Sequence, residues 1–358
     1  MRKYYTRPCN FYYGNYAKKL INSKKALPLA GNLNLAFKEI EIFYRKNKNS
    51  TKSEFCSINQ INDLNKEKKN IVKNDLKKIT LNRKSISGLQ FNKPQIMGVL
   101  NVTPDSFSDG GLFYKDSKSF NHAKTMANDG ATIIDIGGES TRPGSNTIKD
   151  IIEWKRIKNI IIKLKKKFPK MILSLDTRKS YVMKKGIQEG INIINDVSGL
   201  NFDKNSFKVI NSKNIPFVLH HMQGTPNTMQ INPKYNDVIL DIFDFFEKKI
   251  SFCSNNNFKK DHIIIDPGIG FGKNLKHNLR IMSKISIFHS LGCPILIGTS
   301  RKRFIEHIVT KFDTKDRTGG TLASVLYGLS QGVQLFRVHN VREINQGILV
   351  FNKILSTN

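Results

Sequence analysis

The chain has 358 residues, 39% of them hydrophobic and 24% charged, enough to bury the core of one large domain with an appendage. No apolar run approaches the roughly 18 residues of a membrane span, there is no signal-peptide core, and Cys9, Cys56, Cys253 and Cys293 form no C-x-x-C pair, so neither a zinc site nor a disulfide framework is indicated and a cytoplasmic protein is expected. The formal charge of +31 would suit nucleic acid, but Lys, Asn and Ile are abundant throughout, as an AT-rich coding sequence produces, and nucleic acid is not the partner expected.

Residues 1–45 form a small N-terminal extension in which aromatic and apolar residues (Tyr4, Tyr5, Phe11 to Tyr13, ALPLAG, Phe37 to Phe43) predict short strands packed on something larger. The first acidic residue is Glu39, which would suit a transit peptide, but the aromatic density argues against one. Residues 46–93, rich in Lys, Asn and Ser and thin in apolar content, read as a poorly ordered linker. Both pieces are basic, with 21 Lys/Arg against 6 Asp/Glu in residues 1–93.

From residue 94 to 358 short apolar runs recur with Lys-rich amphipathic segments of helical length between them: QIMGVL, ATIIDIG, MILSL, INIIND, IPFVLH, HIIID, CPILIG and VQLFRV. Eight strands alternating with helices predict an α/β fold, a (β/α)8 TIM barrel, with a doubly wound open sheet as the alternative.

Polar residues end the runs: Asn101; Glu139 with Thr141 and Arg142; Asp176; Asn195 and Asp196; His220 and His221; Asp266; Lys302 after Ser300; Arg337 and His339. In a barrel these positions meet at the C-terminal rim, where such enzymes do their chemistry. The stretch HIIIDPGIGFGKN (His262 to Asn274) is the most pointed. Asp266 closes an apolar run, where an unpaired carboxylate would be costly, and Gly268, Gly270 and Gly272 keep the following loop free of bulk for a flat ligand. It is not a P-loop, since Pro267 replaces the first glycine and Asn274 the Ser/Thr, nor a dinucleotide fingerprint, since Lys273 replaces the last glycine. Taken singly, Asp176, Asn195 and Asp266 could equally cap the helices that follow.

MGVLNVTPDSFSDGG (Met97 to Gly111), DIGGESTRPGS (Asp135 to Ser145) and DPGIGFGKN (Asp266 to Asn274) closely resemble, in order and spacing, the signatures of the dihydropteroate synthase family. SLDTRK, INDVSG, HMQGTPNTMQ, GTSRK and RVHNV extend the resemblance from about Pro94 to Lys353. It implies a barrel enzyme that condenses 6-hydroxymethyl-7,8-dihydropterin diphosphate with 4-aminobenzoate, releasing pyrophosphate and making 7,8-dihydropteroate for folate synthesis. By the same resemblance Asp176, Asn195, Asp266, Lys302 and Arg337 read the pterin, and Arg142, Arg337 and His339 hold the diphosphate. Phe107, Thr141, Pro143, Phe271 and Arg303 receive 4-aminobenzoate, Asn101 meets the Mg²⁺ that accompanies pyrophosphate, and Asp176, Arg142, Lys302 and Asp109 are the catalytic set. A homodimer is expected.

The chemistry of these residue types suits those tasks. A carboxylate pairs bidentately with the N–H edge of a pterin, an amide reads donors and acceptors together, and a planar guanidinium stacks where Lys would not. Two departures from the family stand out: His220, where Met is common, and Arg303, where a small residue is common. Adjacent His220 and His221 do not suggest a metal site. A methyltetrahydrofolate-binding methyltransferase would share the Asp and Asn readers but has no reason to keep STRPG and SRK; a non-catalytic pterin- or RNA-binding paralogue has no reason to keep Arg142, Lys302, Arg337 and His339.

Overall fold

The computed structural model describes residues 2–47, 50–103, 112–140, 144–309 and 317–357. In the extension, β1 (Tyr4–Tyr13) is followed by α1 (Gly14–Asn22), β2 (Leu27–Leu29), β3 (Asn32–Asn47) and β4 (Ser50–Ser57). The long β3 is central. β1 runs antiparallel along one edge, from Tyr4 opposite Tyr44 to Tyr13 opposite Leu35, and β2 and β4 share the other edge. Then comes α2 (Lys66–Thr80), whose N-cap Asn65 accepts from Lys68 N at 3.0 Å.

The linker expected at residues 46–93 is therefore corrected. Val72, Leu76 and Ile79 stand at helical spacing and close one stripe of α2 onto Phe37, Ile40 and Ile42, so a few well-phased apolar residues order a helix that its lysines leave hydrophilic elsewhere. Ile86 and Leu89 pair in a tight bridge and, with Phe91, enter the base of the barrel.

Each apolar run after residue 94 forms a strand: β5 (Gln95–Asn101), β6 (Ile133–Gly137), β7 (Ile172–Asp176), β8 (Ile193–Asp196), β9 (Phe217–His220), β10 (Ile263–Asp266), β11 (Leu296–Ile297) and β12 (Leu335–Val338). The helices between and after them are α3 (Leu112–Asn128), α4 (Asp150–Lys167), α5 (Ser180–Gln188), α6 (Ser206–Ser212), α7 (Val238–Asn255), α8 (Leu275–Ser283), α9 (Arg303–Ile308), α10 (Thr318–Ser330) and α11 (Val341–Ser356). The strands pair in parallel in the order β10-β9-β8-β7-β6-β5-β12-β11, and a bridge between Ile265 and Ile295 joins the two ends. Closure makes this the expected barrel rather than an open doubly wound sheet.

The interior is layered by the two-residue period of a strand. Met97, Ile133, Ile172, Ile193, Val218, Ile264, Leu296 and Leu335, one from each strand, form an apolar layer sealed from below by Ile86, Leu89 and Phe91. Two residues further along the strands stand Asp135, Ser174, Asn195, His220, Asp266 and Arg337. The layer above the apolar plug is thus polar, and it faces the C-terminal mouth.

The extension docks against α7 and the 3₁₀ turn Ile285–Leu291. Tyr5 and Phe43 belong to the barrel's own apolar core, with the Tyr5 ring edge-on to Phe243 at 5.2 Å. Arg7 and Lys284 meet the buried Glu41 at 2.7 and 3.0 Å, and Tyr13 donates to Ser330 O at 2.8 Å. No helix among the described residues is long and apolar enough to cross a membrane.

Candidate functional site

The guanidinium of Arg337 ties Asp135 of this layer to Asp176 at the end of β7. Arg337 Nε donates to Asp135 Oδ2 at 2.7 Å and Arg337 Nη2 to Asp176 Oδ2 at 2.8 Å, while Asn195 Nδ2 donates to the same Asp135 oxygen at 3.0 Å. The opposite oxygens, Asp135 Oδ1 and Asp176 Oδ1, are buried without a protein partner. A buried carboxylate with a lone pair still open is a place for a ligand donor or water. Burial raises the Asp176 carboxyl, against the pull of Arg337.

Asp266 does not cap the following helix: α8 is capped by Asn274, whose Oδ1 accepts from His277 N at 2.9 Å. Asp266 Oδ1 instead accepts from Gly268 N at 2.8 Å, within the glycine loop. Burial lifts its carboxyl to about 6, with Gly268, Lys302 and Lys273 opposing. Nor does Asp176 cap α5; Asp203 Oδ2 accepts from Ser180 N there, at 2.8 Å. Lys302 belongs to the same cluster. Burial and then Arg337 lower it to about 8, while Asp266 and Asp176 draw it the other way. Its ammonium lies 4.0 Å from the centre of the Phe271 ring, a cation–π contact.

The glycine loop is held from beneath. Gly268 has φ +70, and a Cβ there would lie 2.0 Å from His221 O, so only glycine fits. Lys273, buried, donates to Phe271 O at 2.8 Å, His221 Nδ1 at 3.0 Å and His221 O at 3.3 Å, which uses all three protons of its ammonium. Burial lowers Lys273 to about 7 and keeps His221 neutral, leaving Nδ1 free to accept. His220 donates from Nδ1 to Val197 O at 3.0 Å and meets Phe271 edge-on at 4.6 Å. Its Nε2 is 4.0 Å from Asp266 Oδ2, but this is no ion pair, because burial holds the ring neutral.

Other strand-end residues are used elsewhere. Asp196 points out of phase with the interior layer and accepts from Ser198 N and Oγ and from Leu200 N, at 2.6–3.0 Å, to shape the turn after β8. Glu139 takes Lys179 at 2.7 Å, Arg178 at 3.1 Å and Ile148 N at 2.9 Å, and Lys179 also reaches Glu153 at 2.6 Å. That buried network anchors the described flanks of the β6–α4 connection. His339 Nδ1 lies 3.0 Å from Ser300 Oγ, Asn101 ends β5 half-buried, and Arg303 opens the short α9 exposed to solvent. Phe107, Asp109, Thr141, Arg142 and Pro143 lie outside the described residues.

Asp135 is the residue sequence reasoning passed over. It sits inside the apolar run ATIIDIG rather than at its end, and its signal was phase: two residues beyond Ile133, it must face inward with it. A cavity of 690 Å³ lies at the opposite end of the barrel beside Leu89, Phe168 and Met171, away from this cluster. Its charged groups are exposed lysines, so the carboxylate–guanidinium layer is the better candidate.

Residues 97–339 match the family described as pterin binding enzyme. Among curated proteins the chain is 37% identical over 270 residues to the dihydropteroate synthase of Escherichia coli K12, covering 75% of this chain and 95% of that protein. Among solved structures it is similar to the Yersinia pestis dihydropteroate synthase in a sulfonamide drug complex (TM-score 0.71, 37% identity, 75% of this chain and 96% of that one). The Xanthomonas albilineans dihydropteroate synthase with 4-aminobenzoic acid gives TM-score 0.70 at 33% identity, with 75% and 96% covered.

Proposed function

We infer the reaction from one premise: this chain belongs to the dihydropteroate synthase family of pterin binding enzymes. It condenses 6-hydroxymethyl-7,8-dihydropterin diphosphate with 4-aminobenzoate to 7,8-dihydropteroate and pyrophosphate. The observation that carries this reading is the cluster in which Asp135, Arg337, Asp176 and Asn195 are bonded together at the barrel mouth with Asp266 and Lys302 beside them.

Roles follow from the donors and acceptors available. Asp266 and Asp176 accept from the N–H groups of the pterin, Asn195 and Lys302 donate to its ring acceptors, and the Arg337 guanidinium, held flat by two carboxylates, lies against the ring. Arg337, His339 and Arg142 face the diphosphate. Its C–O bond to the pterin methylene breaks, positive charge develops on that carbon, and the Asp176 carboxylate stabilises it in a site with little water. The amine of 4-aminobenzoate then forms the new C–N bond and gives up a proton. Phe271, pinned through its carbonyl by Lys273, offers an apolar wall for the second substrate, and Arg303 a cation for its carboxylate.

A Mg²⁺ carried with the diphosphate fits Asn101. The Asn101 side-chain oxygen lies beside Gly137 at the mouth of the barrel, near Asp176, and is the hard oxygen offered to such an ion. No group of three or more His, Cys, Asp or Glu among the described residues could form a complete metal cage, which suits an ion shared with phosphate oxygens. Such an ion would neutralise charge on the leaving group. A cytoplasmic homodimer is part of the same reading, and exposed Leu349, Val350 and Ile354 on α11 are available to support the dimer. The test is incubation with the pterin diphosphate, 4-aminobenzoate and Mg²⁺ while pyrophosphate release is followed. Release that requires both substrates and stops in EDTA is expected; turnover undiminished by EDTA would remove the metal from the scheme.

A further inference from the structure

The extension lies outside the region that matches the family, yet its polar contacts with the barrel lead toward the candidate site. Tyr5 donates to Asp244 Oδ1 at 2.8 Å, and Arg45 Nη2 sits 2.9 Å from Asp244 Oδ2 and 3.0 Å from Asp241 Oδ1. Asp241 and Asp244 are three residues apart on α7, so without a cation between them their like charges would repel on one helix face. The other oxygen of Asp241 accepts from Asn236 N at 2.8 Å and Asp237 N at 3.3 Å, where the chain leaves the segment 222–236 and enters α7.

That segment carries the contact onward. Its two limbs are cross-linked by Gln223 and Lys234, at 2.8 and 3.0 Å. Tyr235 then donates to Gly272 O at 2.8 Å and Gln230 to Gly270 O at 2.7 Å, so the segment grips the loop whose Phe271 packs against Lys302 and whose Lys273 braces it from beneath. A continuous line of one ion pair, Arg45 to Asp241, then hydrogen bonds and short backbone steps joins the extension to that loop.

We propose that the extension is a positioning element for the pterin subsite: Arg45, through Asp241, fixes the start of α7 and the segment 222–236, and these hold the loop from Gly268 to Lys273. The proposal rests on the reading of that loop as a substrate wall. A single terminal nitrogen, Arg45 Nη2, meets both carboxylates, so a lysine ammonium reaching the same place would keep part of the contact.

The test uses the full-length chain with Arg45→Met, Arg45→Lys and, as comparator, Arg7→Met. Arg7 ties the extension to the barrel at another place, through Ser286 Oγ at 3.3 Å, and pairs within the extension with Glu41. Amide exchange in residues 268–273, thermal midpoint and steady-state constants are measured for each. Arg45→Met is expected to speed exchange in that loop and raise KM for the pterin diphosphate about 3- to 10-fold, the range of a modest coupling between distant groups, with kcat and the 4-aminobenzoate KM little changed. Arg45→Lys should recover part of this, and Arg7→Met should lower the midpoint without either effect. An unaltered loop in Arg45→Met, or equal effects from Arg7→Met, would overturn the proposal. If Arg45→Met does not fold, Tyr235→Phe, which cuts the same line at its far end, is read by the same two measures, and an unchanged loop there overturns it too. A wild type that makes no dihydropteroate would sink the assigned reaction, while the exchange data would still judge the brace.

Discussion

Asp266 shows how one carboxylate can oppose stability and serve binding. Its folded value of about 6 stands above the unfolded carboxylate range near 4, so the stability it contributes is full below about pH 4 and is lost as pH rises through about 6. Binding runs the other way, since only the ionised form accepts from both N–H donors of a pterin edge. Asp266→Asn should therefore be no less stable than wild type at pH 7 without ligand, yet bind a pterin about 10- to 150-fold more weakly, the worth of a hydrogen bond to a charged group. Calorimetric titration with a pterin and melts at pH 5 and 7.5 measure both halves; an unfolded variant would make Asp266 a structural residue. With Asp266 and Asp176 both raised and Lys302 lowered to about 8, kcat/KM for the pterin diphosphate should rise through about pH 6 to 7 and fall through about 8, because it needs ionised carboxylates and a protonated lysine. A profile flat from pH 5 to 9 would remove these groups from substrate capture.

At the scale of elements, the glycine loop owes its shape to contacts rather than to propensity. Gly268→Ala must place a methyl against His221 O and hold a φ that side chains rarely adopt, so a loss of about 1 to 3 kcal/mol in denaturant titration is expected together with weaker pterin capture. Gly144 also has positive φ, +81, but open space around it. Gly144→Ala should show only the backbone strain, and equal losses from the two would mean that the clash with His221 O is relieved cheaply. The neighbouring β6–α4 connection has its described flanks held by Glu139, Arg178 and Lys179, charges that pair almost entirely with one another.

For the whole molecule, the docked extension changes what truncation should do. On sequence grounds a chain beginning near Leu89 should fold and keep its chemistry, since the residues matched to the family's site lie beyond Pro94. The structure puts Tyr5 and Phe43 in the barrel's apolar core and leaves Asp241 and Asp244 dependent on Arg45, so the shortened chain would expose Phe243 and lose those pairs. Burial of two such aromatic side chains corresponds to about 3 to 6 kcal/mol, and truncation at Leu89 should lower the thermal midpoint by many degrees or yield aggregates. An unchanged midpoint would show that the extension is docked without contributing to stability.

The sequence by itself determined the barrel and the family, because eight short apolar runs and a set of closely spaced motifs are local features, and local features survive in one dimension. It also held the candidate rim: Asp176, Asn195, Asp266, Lys302 and Arg337 were all legible as polar ends of apolar runs. What it could not decide was which of those ends share a cavity. Asp196 and Glu139 have the same look, yet one shapes a turn and the other joins a buried ion network. Asp135 was hidden within a run, and its partner Arg337 is 202 residues away, a pairing that exists only once the sheet has closed and the phase of each strand is fixed. The ordering of residues 50–80 was illegible for a related reason. A lysine-rich helix with four apolar residues is stable only against a surface, and that surface is built by strands elsewhere in the chain.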